Sequence, residues 1–233
     1  MCTHETLTDT SAEPLGTTLK RFCIVVVFGI ALAYFEAAVV VYLREIFYPD
    51  GFTFPLTEFG ISISPLWRRL LITEIGREAA SMVLILTAAW LFGRNLQQQS
   101  AYFMVIFAIW DIFYYVWLKV LLDWPASIMD WDILFLIPIT WASPVLCPVL
   151  ISLTLLLLAI IILYRDSHAR PIKPTLPDWL VFILAGLVVV ISFCIGGLHI
   201  TEPDFQSYFY WPLFATGLLL ALAVFLKCLL KSK

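Results

Sequence analysis

Six runs of about twenty apolar residues, set apart by short polar or aromatic stretches, dominate this chain. A run of that length crosses a hydrocarbon core roughly 30 Å thick as a helix. The pattern predicts spans at 22–46, 69–93, 101–122, 144–164, 178–199 and 209–230. A further apolar stretch, Ile133 to Ala142, has about ten residues and contains Pro138, so it is too short to span. It reads as a re-entrant or interfacial segment before the fourth span, whose backbone must be covered by protein or line a wet cavity. The expected fold is an all-α integral membrane protein with about six transmembrane helices. Residues 1–20 form a polar cytoplasmic tail, and residues 21–233 form a single polytopic membrane domain.

The stretch from Ile46 to Trp67, with Pro49, Pro55, Pro65 and several aromatics, predicts an ordered loop at the membrane interface. Glu36-Ala37-Ala38 and Glu78-Ala79-Ala80 share three letters, within chance for an Ala-rich membrane chain. A repeated transporter architecture is therefore not expected inside one chain.

Composition agrees with the pattern. At 62% hydrophobic and 13% charged, with a mean hydropathy of +0.95, the chain lies far from the roughly 45–50% apolar and 25% charged of soluble domains. The net charge of -3, with basic residues in short clusters at span ends, gives no nucleic-acid partner. The lipid bilayer is the expected surrounding, with room for a membrane-protein partner or a homo-oligomer. Five cysteines without C-x-x-C spacing indicate neither a disulfide framework nor a zinc site. The tail lacks the basic start and cleavage pattern of a signal peptide, and Cys2 reads as a free cysteine there rather than a lipidation site.

Lys and Arg near span ends set the orientation. Lys20, Arg21, Arg94, Arg165, Arg170, Lys173, Lys227, Lys231 and Lys233 share one side if there are six spans. Asp50, Glu58, Asp123, Asp130, Asp132, Glu202 and Asp204 fall on the other, with Arg68 and Arg69 as exceptions. Both termini are expected in the cytoplasm. Trp124, Trp131, Trp141, Tyr208, Tyr210 and Trp211 then form an outer aromatic belt.

Against this background the charges inside the apolar runs stand out. Ionisable groups in hydrocarbon are costly, so they face a bundle interior, find partners and serve a function. Glu74, Arg77, Glu78 and Ser81 lie at i, i+3, i+4 and i+7, on one stripe of a helix. Asp111, Tyr114, Tyr115 and Lys119 occupy neighbouring turns of the third span, and Glu36, Val40 and Arg44 those of the first. All lie in the middle or outer half of the membrane, so spans one to three are expected to converge on one outward-facing pocket. The candidate ligand or proton site is Glu36, Glu74, Arg77, Glu78, Asp111, Tyr114, Tyr115 and Lys119.

Four deep acids against two bases leave an excess of two negative charges, which cannot persist unpaired in a low-dielectric site. Either carboxyls carry protons or a cation occupies the pocket. No cofactor is indicated, while a bound cation is compatible with this balance. His4, His168 and His199 have no Glu-x-x-His spacing and form no buried pair, against a two-metal carboxylate site or a bis-histidine haem. No G-x-S-x-G motif supports a serine nucleophile. The functional expectation is a polytopic membrane protein binding a small polar or cationic ligand, or relaying protons. The alternatives are an intramembrane enzyme using Glu or Asp with Tyr, and a non-catalytic membrane subunit of a larger complex.

Overall fold

A computed structural model describes residues 15–49, 51–56 and 64–232. Six helices carry the fold: α1 (Leu15–Phe47), α2 (Pro65–Phe92), α3 (Leu96–Leu122), α4 (Leu146–Ser167), α5 (Leu176–Leu198) and α6 (Trp211–Lys231). Each is long and apolar enough to cross a membrane. The chain is an all-α, multi-pass integral membrane protein. Of the expected tail, residues 15–20 belong to α1, and residues 1–14 lie outside the described residues. So do Asp50, Glu58 and much of the predicted interfacial loop.

Local chemistry explains where the helices begin and end. Ser64 accepts a hydrogen bond from the Trp67 N–H at 3.2 Å, with Pro65 opening α2 where a helix needs no donor. Asn95 caps α3 by accepting from the Gln98 N–H at 2.9 Å. Thr175 and Asp178 form a reciprocal capping box on α5. The third helix stops at Asp123, whose left-handed backbone (φ 53°) turns its N–H onto the Lys119 carbonyl.

The short apolar stretch before the fourth span does not cross the membrane. This short segment folds as an antiparallel hairpin, β1 (Trp131–Phe135) with β2 (Trp141–Pro144). Pro138 disfavours a helix there, whereas two paired strands satisfy each other's backbone groups beside the apolar interior. Asp132 sits opposite Ser143, and Ile133 opposite Ala142.

Helix α3 is the axis of the bundle, with Ala101, Tyr102, Val105, Ile106 and Leu118 fully buried against its neighbours. It packs on α1, α2 and α4, while α5 pairs with α6 and seats β2. Two glycines make that seat: a Cβ at Gly196 would stand 2.5 Å from the Ala142 carbonyl oxygen, and one at Gly197 would stand 1.8 Å from that of Thr140. The α5–α6 pair is tied to the rest at both ends. One cluster gathers Trp131, Ala142, Cys147, Phe193, Phe209 and Phe214 at the hairpin end. The other gathers Leu158, Ile172, Val224, Phe225 and Cys228 at the opposite end. Between the two clusters the α5–α6 pair stands apart from the other four helices.

Candidate functional site: a cavity with an acidic end

The gap between these clusters is a cavity of about 820 Å³, lined by all six helices and the hairpin. That volume is within the roughly 300–1,000 Å³ of ligand pockets. Its wall follows α3 from Gln97 to Tyr115, about 27 Å of helix rise. Charge is confined to one end. Five carboxyls, Glu36, Glu74, Glu78, Asp111 and Asp132, line it together with two guanidiniums, Arg44 and Arg77.

Helical spacing in α2 builds the first part of this end. Its buried stripe is Glu78, Ser81, Ile85 and Ala89, so the interior face of the helix opens with a carboxylate. Arg77 donates to both oxygens of Glu74, through Nε at 2.9 Å and through Nη2. Its Nη1 reaches across to Glu36 on α1, and the Ser81 hydroxyl lies 3.4 Å from the same Glu36 oxygen. Glu78 faces the hairpin instead and accepts the Leu136 N–H at 2.9 Å. A turn of the hairpin is thereby fastened to a carboxyl in the second span.

The second part joins α1, α3 and β1. Arg44 donates to Asp132 at 3.2 Å, with both side chains at least nine-tenths buried. The guanidinium also lies over the rings of Trp124 and Phe52, 3.9 Å and 4.2 Å from their centroids. Those faces supply cation–π attraction in place of lost water. Tyr114 donates its hydroxyl to Asp132 at 3.3 Å, and Tyr115 packs edge-on against Tyr114 at 4.9 Å. Burial pushes the Asp132 carboxyl up to about 6, against the opposing pull of Arg44, the Ile133 backbone N–H and the tyrosine hydroxyls. Asp111 completes the set by accepting the Ser152 hydroxyl of α4 at 2.7 Å.

Seven of the eight residues singled out from the sequence therefore line one cavity: Glu36, Glu74, Arg77, Glu78, Asp111, Tyr114 and Tyr115. Lys119 is a correction. It lies outside the cavity, about half-exposed, and pairs with Asp123 at 2.7 Å near the end of α3. Its long stem lets the ammonium escape toward the helix end instead of entering the pocket. The four-to-two balance of acids and bases becomes five to two. Arg44 and Asp132 were legible as charges but not as partners, because 88 positions separate them. Ser152 gave no signal, being one hydroxyl in an apolar run.

Among the described residues no group of three His, Cys, Asp or Glu side chains is placed to hold a metal ion. The carboxyls are instead distributed, each already accepting from Arg, Ser, Tyr or a backbone N–H. Comparison with protein-family models, curated proteins and solved structures finds no match for this chain.

Proposed function

We propose that the acidic end of the cavity binds an organic cation, or the protons that stand in for one. The observation that carries this reading is five carboxyls against two guanidiniums around one apolar-walled cavity. Fully ionised, that set holds three negative charges beyond its internal partners, which a low-dielectric site does not tolerate. An added positive charge relieves it. The aromatic faces of Phe47, Tyr48, Trp67 and Trp110 in the same wall suit a weakly hydrated organic cation. The distributed carboxyls suit it better than they suit a metal ion.

Both termini are cytoplasmic in this reading, and the acidic end lies in the outer half of the bilayer. Lys20, Arg21, Arg94, Arg165, Arg170 and Lys173 flank the other end of the bundle, which supports that orientation. A second reading, an intramembrane acid–base enzyme, draws on the Tyr114–Asp132 and Ser152–Asp111 hydrogen bonds at 3.3 Å and 2.7 Å.

The test is titration of tetramethylammonium into the protein in nanodiscs, read by tryptophan fluorescence, to which the wall residues Trp67, Trp110, Trp141 and Trp179 contribute. Wild type gives a saturable change. Glu78→Gln and Asp111→Asn, which keep the accepting oxygens but remove a charge, each weaken binding by about tenfold. No saturable response, or wild-type affinity in both variants, overturns the reading.

A further inference from the structure

A small cation would fill only one end of this cavity. Past Asp111 the wall turns apolar, with Phe107, Phe103, Leu155, Leu158, Phe182 and Phe225, and continues to the level of Gln97. Charge therefore ends at Asp111, and only the neutral Thr154, Ser100 and Gln97 interrupt the apolar wall beyond it, over about 27 Å of α3, a distance close to the roughly 30 Å of a hydrocarbon core. A space with one charged end and one long apolar shaft matches a molecule with the same division.

Resting on the cation-binding reading, we infer that the occupant is an amphiphile: one long hydrocarbon chain bearing a single cationic head group. The head sits among Glu36, Glu78, Asp111 and Asp132, and the chain runs along α3 toward Phe225. Lipid tails are as apolar as the wall, so the chain gains little free energy by leaving the bilayer. Charge supplies the selectivity, and the shaft supplies the fit. A neutral lipid filling the same space would show neither dependence on the carboxyls nor preference over its neighbours in the membrane.

The structure offers a way to obstruct the shaft alone. Gly186 of α5 is in the cavity wall on the stripe with Phe182, Val189 and Phe193, and a Cβ built there meets no atom within 4 Å. Gly186→Phe therefore puts a ring into open space, and Ala221→Phe enlarges a side chain of the same cavity wall on α6. Neither position is near the carboxyls in sequence.

The experiment uses the full chain in zwitterionic phospholipid nanodiscs doped with traces of hexadecyltrimethylammonium or hexadecanol, with retention on the protein read by native mass spectrometry. Tetramethylammonium binding is measured in parallel as the head group alone. Hexadecyltrimethylammonium is retained about tenfold over hexadecanol, and Glu78→Gln lowers that preference by about tenfold. Gly186→Phe and Ala221→Phe lower retention of the long-chain cation about fivefold more than they lower tetramethylammonium binding, because the ring occupies chain space. Equal retention of hexadecanol, or retention indifferent to both shaft variants, overturns the inference. Tetramethylammonium binding without retention of the long-chain cation rejects the amphiphile but keeps the cation site. Loss of both rejects the two together.

Discussion

Replacing Arg77 is the sharpest test of how the acidic end is held. One guanidinium serves two carboxylates from two helices, Glu74 within α2 and Glu36 on α1. About a fifth of its side chain is exposed, against 11% for Glu36 and 13% for Glu74. Arg77→Leu leaves both acids beside each other in a poorly solvated wall. Removing one partner of a buried ion pair costs about 3–5 kcal/mol, and the partial exposure of Arg77 puts the expected loss near the lower figure, about 3 kcal/mol. The triple variant Glu36→Gln, Glu74→Gln, Arg77→Leu removes the stranded charges as well and should return to within about 1 kcal/mol of wild type. Arg77→Lys should fall between, since an ammonium lacks the fork that bonds both acids. Reversible unfolding in mixed micelles of rising SDS content, followed by tryptophan fluorescence, measures all four proteins. A loss below about 1 kcal/mol in Arg77→Leu, or a triple variant no more stable than the single one, would refute the ion-triad account.

The hairpin seat predicts a contrast between two glycines of α5. Gly197→Ala pushes a Cβ into the Thr140 backbone and should cost about 1–3 kcal/mol in the same unfolding assay, whereas Gly186→Ala, whose Cβ meets nothing, should be neutral or slightly stabilising. At the surface, hydrogen bonds from His199 (2.8 Å) and Tyr208 hold the Glu202 carboxyl below its ordinary value. Its stabilising contribution is thus present at neutral pH and is lost as pH falls through and below the ordinary carboxylate value of 4.5. The melting-temperature difference between wild type and Glu202→Gln should shrink over that acid range, and a difference that stays constant there would contradict the assignment. For orientation, reporter fusions after Arg94 and after Lys173 should read cytoplasmic and one within Asp123 to Asp132 external. The reversed pattern would turn the acidic end inward.

The spans were legible because membrane thickness fixes run length, and five of the carboxyl and guanidinium groups were legible because charge in an apolar run is costly. The same rule misplaced Lys119, which is one turn from its helix end, where a flexible cation reaches water and meets Asp123. It passed over Asp132 for the opposite reason. A charge between two spans looks solvated, and only the folding of β1 against α1 and α3 buries it beside Arg44 and Tyr114. The hairpin left little trace, since Asp132 alone interrupts the apolar run from Trp131 to Phe135 and no period of two results. Ten apolar residues with a central proline drew attention to length instead of period. The α5 glycines that receive the hairpin carry no mark of their role, because a glycine pair in a membrane helix is common.

Counting protons tests the cation site most directly. Calorimetric titration of tetramethylammonium into the nanodisc-embedded protein, repeated in buffers of different ionisation enthalpy, gives the number of protons exchanged as the site fills. If positive charge is what the acidic end requires, the cation binds saturably and releases protons that had neutralised carboxyls. The variant carrying both Glu78→Gln and Asp111→Asn should then bind more weakly and release fewer. Absence of saturable binding, or the same affinity and proton count in that variant as in wild type, would contradict a cation-binding cavity.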